Sequence, residues 1–132
     1  MPIPFPARQT TDSIQGQLTW SQSERAIARK AFDRALNQEL QEVIQQAKKM
    51  AAGVKEPSEL WELESYLTRR RKEINYKYEY RAARLAFVFG TLLHEGRVTE
   101  EDLRGLGEDK LKAIRSHAEL LGGWDALFER NA

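Results

Sequence analysis

Ser21-Gln22-Ser23-Glu24-Arg25-Ala26-Ile27-Ala28-Arg29-Lys30-Ala31-Phe32 opens the stretch that decides the fold. Ser21 can accept from the backbone amide of Glu24 while Glu24 reaches back to the amide of Ser21, a reciprocal cap that starts helices. Behind it Ala28, Phe32, Leu36, Leu40, Val43, Ala47 and Met50 recur every three or four residues, and Ile27, Ala31, Ala35 and Ile44 widen the stripe. Arg25, Arg29, Glu39, Glu42 and Lys49 fall mostly elsewhere. The pattern predicts an amphipathic helix with one buried face, running to about Met50 or Ala52 and stopping at Gly53.

Working outward, Gly53 to Pro57 makes a short turn, and Ser58 is expected to cap a second helix reaching roughly His94 before Gly96 ends it. Its stripe is Leu60, Leu63, Leu67, Ile74, Tyr78, Arg81, Leu85, Val88 and Leu92. A helix of about 35 residues spans roughly 50 Å, far more than the mean. Thr99-Glu100-Glu101-Asp102 reads as another cap, with Leu103 and Leu106 leading to a turn at Gly107. A last helix near Glu108 to Leu121 presents Leu111, Ile114, Ala118 and Leu121, and Gly122-Gly123 is expected to end it ahead of a tail bearing Trp124, Leu127 and Phe128. Upstream, residues 1–18 hold three of the four prolines and read as an arm without helix. The expected organisation is therefore an arm over 1–18, an all-α domain over 19–121 and a tail over 122–132, with no convincing strand.

Composition excludes several classes of chemistry. Cysteine is absent, which removes disulfides, thiol catalysis and cysteine-bearing zinc sites together. His94 and His117 have no second histidine at metal-ligand spacing. Twenty-one basic against 20 acidic residues leave a formal charge of +1, without the basic excess of a general nucleic-acid or membrane binder. No apolar run is long enough for a membrane span, and the first six residues lack the basic start and apolar stretch of a signal peptide, so a cytoplasmic address is expected. No nucleophile motif or glycine-rich phosphate loop is present. Glu62 and Glu64, two apart on a helix, point about 200° away from each other and are not a paired-carboxylate site. No catalytic residue, cofactor or metal is expected.

Two long helices joined by a short turn must lie antiparallel, and such a layer covers only one face of each. Trp61, Tyr76, Tyr80 and Phe87 stand well away from the main stripe of the second helix, and the C-terminal third can cover only one end of a long rod. A second copy of the chain is the simplest cover, giving a homodimer with a helical hairpin stalk and a small C-terminal head. Charge along the second helix is segregated: Glu56, Glu59, Glu62 and Glu64 precede a stretch from 69 to 84 with seven basic and two acidic residues. Acid at a helix N-terminus suits the macrodipole by itself. Two such helices crossing antiparallel near Arg70 and Arg71 would also set each acidic end near the other's basic middle. The apolar stripe breaks between Leu67 and Ile74, so one of the two arginines must point along the buried face and needs a carboxylate there. The basic run from Arg69 to Lys72 is interleaved with acid and reads as a solvated face rather than a nucleic-acid surface.

Leu60 to Arg81 resembles the fluorescence recovery protein family. The matching positions are Trp61, Leu63, Tyr66, Leu67, Arg70, Arg71, Lys77, Tyr78, Glu79 and Arg81, and the likeness continues through Phe87-Val88-Phe89, Glu95-Gly96, Leu103 and Asp109-Lys110. Upstream it includes Trp20-Ser21, Ala31-Phe32 and Glu39, so it covers about residues 20 to 120. The resemblance implies an all-α homodimer without a cofactor that binds the photoactivated orange carotenoid protein and speeds its return to the dark form, restoring phycobilisome fluorescence. It also implies that Trp61 and Arg71 lie at or near the dimer interface and that the region of Phe87 meets the partner. Together with the stripe, the dimer interface is expected at Trp61, Leu67, Arg70, Arg71 and Ile74. Departures from the family pattern are Glu64-Ser65, where a His-Asp pair is common, and Asn75-Tyr76, where Asp-Gly is usual. These leave open a related homodimeric adaptor for a different protein partner.

Overall fold

The computed structural model describes residues 18–131, so the proline-rich arm lies almost wholly outside the described residues. Within them the chain forms four α-helices and no strand: α1 (Gln22–Ala52), α2 (Pro57–Lys77), α3 (Leu85–His94) and α4 (Glu108–Asn131). The reciprocal cap of α1 forms as expected. Ser21 Oγ accepts from the Glu24 amide at 3.1 Å, and Glu24 Oε1 accepts from the Ser21 amide at 2.9 Å. Gly53 ends the helix by donating to the carbonyls of Lys49 and Met50. The start of α2 differs from expectation. Pro57 occupies its first turn, where a missing N–H costs nothing, so Glu56 rather than Ser58 is the N-cap residue. The Glu59 carboxylate then takes the amides of Lys55 and Glu56 at 2.6 and 2.8 Å.

The expected single helix from Ser58 to His94 is two helices. α2 stops at Lys77, and the chain runs irregularly until α3 begins at Leu85. Neither glycine nor proline marks this break; tertiary packing imposes it. Tyr78 and Tyr80 both set their rings edge-on to Phe32 of α1, at centroid distances of 5.5 and 4.9 Å. On a helix, residues two apart point about 200° from each other, whereas in extended chain they share a side. Both tyrosines can reach Phe32 only if the helix opens, and Tyr78 accordingly has φ −100° and ψ 70°.

Beyond the break α3 turns over at Glu95-Gly96. Gly96 takes φ 77°, its amide donates to Leu93 O, and the Arg97 amide donates to Leu92 O, which closes the helix end in a conformation that glycine tolerates best. Thr99 and Asp102 cap one another as expected, but only hydrogen-bonded turns follow, up to Gly105. α4 then continues through Gly122 and Gly123 to Asn131, correcting the expectation of a stop and a tail. Neither glycine adopts positive φ, and glycine inside a helix costs only about 1 kcal/mol relative to alanine.

The core sits at one end of the molecule. Leu85, Phe89 and Leu92 of α3, Leu103, and Ile114 of α4 are fully buried against Trp20, Ala28, Phe32 and Ala35. The head is thus not the C-terminal third alone: the first half of α1 forms one of its walls. Past Glu39 no residue of α1 is buried, and Ile74 alone is buried in α2. The rest of the hairpin projects from the head, with Leu40, Ile44, Leu60, Trp61 and Leu67 exposed.

Candidate functional site: a charged joint and two exposed surfaces

Stalk and head meet at Glu39. Its side chain is 1% exposed, and it sits on the apolar face of α1 one turn beyond Ala35. Arg70 Nη2 donates to Oε2 at 2.8 Å, Lys77 Nζ lies 2.9 Å from both oxygens, and the Tyr78 hydroxyl donates to Oε1 at 2.8 Å. Arg97 Nε lies 3.2 Å from Oε1. Burial alone would raise this carboxyl, but the hydrogen bonds from Arg70, Lys77 and Tyr78 outweigh it and hold the pKa at about 2. Burial and the Glu39 carboxylate together push the Tyr78 phenol up. One carboxylate therefore ties α2, the break and the turn after α3 to α1. Arg70 is the arginine of the pair that lies along the buried face, and its acceptors are Glu39 and Glu73 of its own chain. Arg71 points to solvent.

A second buried pair fastens α4. Lys110 Nζ lies 3.0 Å from Glu24 Oε1, while Glu24 Oε2 accepts from the Gly107 amide at 2.6 Å. Backbone bonds from Ser21 and Gly107 lower Glu24 to about 2, with Lys110 adding to them against the cost of burial. The cap residue of α1 thereby fixes the start of α4.

Of the residues expected at a dimer interface, Trp61 is 61% exposed on α2, Leu67 is exposed, Arg71 is exposed, Arg70 is mostly covered and Ile74 is buried within its own chain. Trp61 borders a shallow groove with Met50 and Tyr66 between the two stalk helices.

The second surface surrounds Phe87 on the head. A groove of about 640 Å³ is lined by Tyr76, Arg84, Phe87, Thr91, His117 and Leu121, among others. Phe87 packs edge-on to the His117 ring with centroids 4.9 Å apart. The Thr91 hydroxyl donates to the Phe87 carbonyl at 3.1 Å, leaving its oxygen to accept from His117 Nε2 at 3.4 Å. Burial, with Arg84 nearby, lowers the His117 pKa, so the ring is neutral at pH 7. Helices α3 and α4 can approach this closely because residue 90 is glycine: a Cβ there would stand 2.6 Å from His117 Cβ. Among the described residues no group of three or more histidines and carboxylates could hold a metal ion, and no helix is long and apolar enough to cross a membrane.

Fold and surfaces together define a small all-α protein in which a helical hairpin is locked through buried charges onto a compact head. The chain belongs to the fluorescence recovery protein family: the family model, described as photoprotection regulator fluorescence recovery protein, matches residues 20–118. It is 36% identical over 101 residues, 76% of this chain and 93% of the relative, to the fluorescence recovery protein of Synechocystis sp. (strain PCC 6803). The structure of the Fremyella diplosiphon fluorescence recovery protein resembles it with a TM-score of 0.73 at 36% identity, covering 76% of this chain and 99% of that one. The Synechocystis structure gives 0.73 at 35% identity with the same coverage. Membership places the chain among photoprotection regulators rather than in a known enzyme family.

Three parts of the site were not visible as such in the sequence. Glu39 counted as a resemblance position but had no role, although a carboxylate seven residues after Phe32 and four after Ala35 lies on the apolar stripe. Lys110 likewise matched without a function, and its partner is 86 residues away. Arg84 carried no motif at all.

Proposed function

We propose that this protein is a non-enzymatic homodimeric regulator that binds the photoactivated orange carotenoid protein and speeds its return to the dark form. Membership of the family over residues 20–118 carries this reading. Two surfaces support it: Phe87 stands half-exposed on the head, available to a partner, and Trp61 and Leu67 leave apolar surface on the stalk for a second copy. Preferential binding to one state of the partner shifts that state's population or lifetime without any chemistry by the regulator itself.

The test follows the absorbance of photoactivated orange carotenoid protein in the dark, with and without this chain. Acceleration is expected, and Phe87→Ala is expected to weaken it by roughly tenfold, as for a buried aromatic contact at an interface. One observation favours a second reading. Glu64 and Ser65, both exposed on α2, stand where the resemblance commonly has a His-Asp pair. A folded dimer that leaves the recovery rate unchanged assigns the same architecture to another protein partner.

A further inference from the structure

We propose that the Phe87 groove receives a segment of a partner protein in which an apolar side chain adjoins a carboxylate, and that Arg84 is the carboxylate receptor. This rests on the reading above that the Phe87 face meets a partner protein, and it adds what that partner must present.

Arg84 occupies an unusual position. It is the N-cap residue of α3, so its backbone is held by the turn that starts the helix. Its guanidinium lies 6.0 Å from the Tyr76 ring centroid and 5.8 Å from that of Phe87, within cation–π reach of both rings. Its Nε lies 3.1 Å from Glu79 Oε1 as an ion pair but makes no hydrogen bond, and neither Nη group donates one among the described residues. A guanidinium held near two rings loses little freedom when a planar carboxylate meets its open edge, and that edge matches a carboxylate in two-point geometry.

The remaining charges around the groove are already engaged. Glu73 is paired with Arg69 and Arg70, while Glu95 is paired with Lys77 and Arg97. Arg84 shares the single carboxylate of Glu79 with Arg81, which lies outside the groove, so the charge of Arg84 is only partly neutralised. The floor, by contrast, is apolar and uncharged, formed by Phe87, Val88 and the neutral His117 ring. Tyr76, 77% exposed, forms an aromatic wall. Leu121, three residues past the family match, also lines the groove, on the part of α4 that His94 Nε2 holds through Asp125 Oδ2 at 2.6 Å. An uncharged floor with one cation whose donors are unmet fits an apolar side chain and one carboxylate. A nucleic-acid backbone would demand several cations in a row.

The full chain, isotope-labelled, would be titrated with two probes, N-acetyl-Phe-Asp-amide and N-acetyl-Phe-Asn-amide, following the ring resonances of Phe87 and His117. The aspartate probe is expected to shift both rings and to bind roughly fivefold tighter than the asparagine probe, the scale of one exposed ion pair. Arg84→Gln should abolish that preference, and Arg81→Gln, outside the groove, should keep it. Equal binding of the two probes, shifts confined to other residues, or equal losses in both arginine variants would overturn the proposal. Inorganic phosphate displacing the aspartate probe at equal concentration would also overturn it, in favour of a simple anion site. The comparison of probes on the wild-type chain needs no variant to fold. Because no orange carotenoid protein is present, failure of the groove chemistry is distinguishable from failure of the assigned partner.

Discussion

Glu39 is the residue on which most of the molecule's order converges. Removing its carboxylate strands Arg70, Lys77 and Arg97, all mostly covered, without their common acceptor. Glu39→Ala is therefore expected to cost about 3 kcal/mol in urea unfolding, the usual penalty for breaking a buried ion pair from one side. Acid should act on the same group. Glu39 and Glu24 are both held at about 2, below the ordinary 4.5, so each binds protons more weakly in the folded chain than in the unfolded one. Their contribution is complete above pH 4.5 and is lost as pH falls from there through 2. His117, whose pKa burial lowers from the ordinary 6.5, should cost a modest part of the stability as pH falls below that value, and the main drop should follow below 4.5 as Glu39 and Glu24 protonate, with a shallower acid drop in Glu39→Gln. An identical acid profile in that variant would show that Glu39 is not the group responsible. At this scale the sequence was half legible. The break in the apolar stripe called for one buried arginine and a carboxylate for it, and Arg70 with Glu39 meets both demands. Which arginine, and which acid, depended on a partner 31 residues away that no local pattern names.

Among the elements, the caps were legible because they are local: Ser21 with Glu24, Gly53, Gly96, and Thr99 with Asp102 all act where expected. The break after Lys77 was not, since its cause is Phe32, more than 40 residues upstream. The one trace it leaves is the alternation Tyr76, Tyr78, Tyr80, a period of two inside a run otherwise read at 3.6. Gly122-Gly123 misled in the opposite direction, since a helix continues through glycine when nothing requires a left-handed turn. The glycines of α3 and α4 therefore predict opposite responses to alanine. Gly90→Ala forces a methyl group into His117 and should destabilise the head by about 1–3 kcal/mol in thermal unfolding. Gly123→Ala meets nothing within 4 Å and should stabilise α4 by about 0.5–1 kcal/mol. Destabilisation by Gly123→Ala would mean that α4 does not continue through this point.

For the whole molecule, the division into a packed head and a projecting hairpin follows from where apolar residues run out of partners. The first half of α1 is covered on its apolar face; the second half and most of α2 are not, although their stripes continue. Leu60, Glu64, Leu67 and Arg71 lie within about 60° of one another around α2, since each step of three or four residues nearly completes a turn. All four are exposed, and neither Glu64 nor Arg71 has an ion-pair partner among the described residues. An antiparallel pairing of two α2 helices that crosses near Leu67 covers this stripe and sets Glu64 of one chain beside Arg71 of the other, twice over by symmetry. Arg71→Glu should then place like charges together at both contacts and raise the dimer dissociation constant by at least about tenfold in sedimentation equilibrium. The double exchange of Glu64→Arg with Arg71→Glu restores opposite charges at both contacts and should recover much of the wild-type affinity. Loss without recovery would place Arg71 at the interface against some other group, and no loss in the single variant would remove the crossing from this part of the stalk.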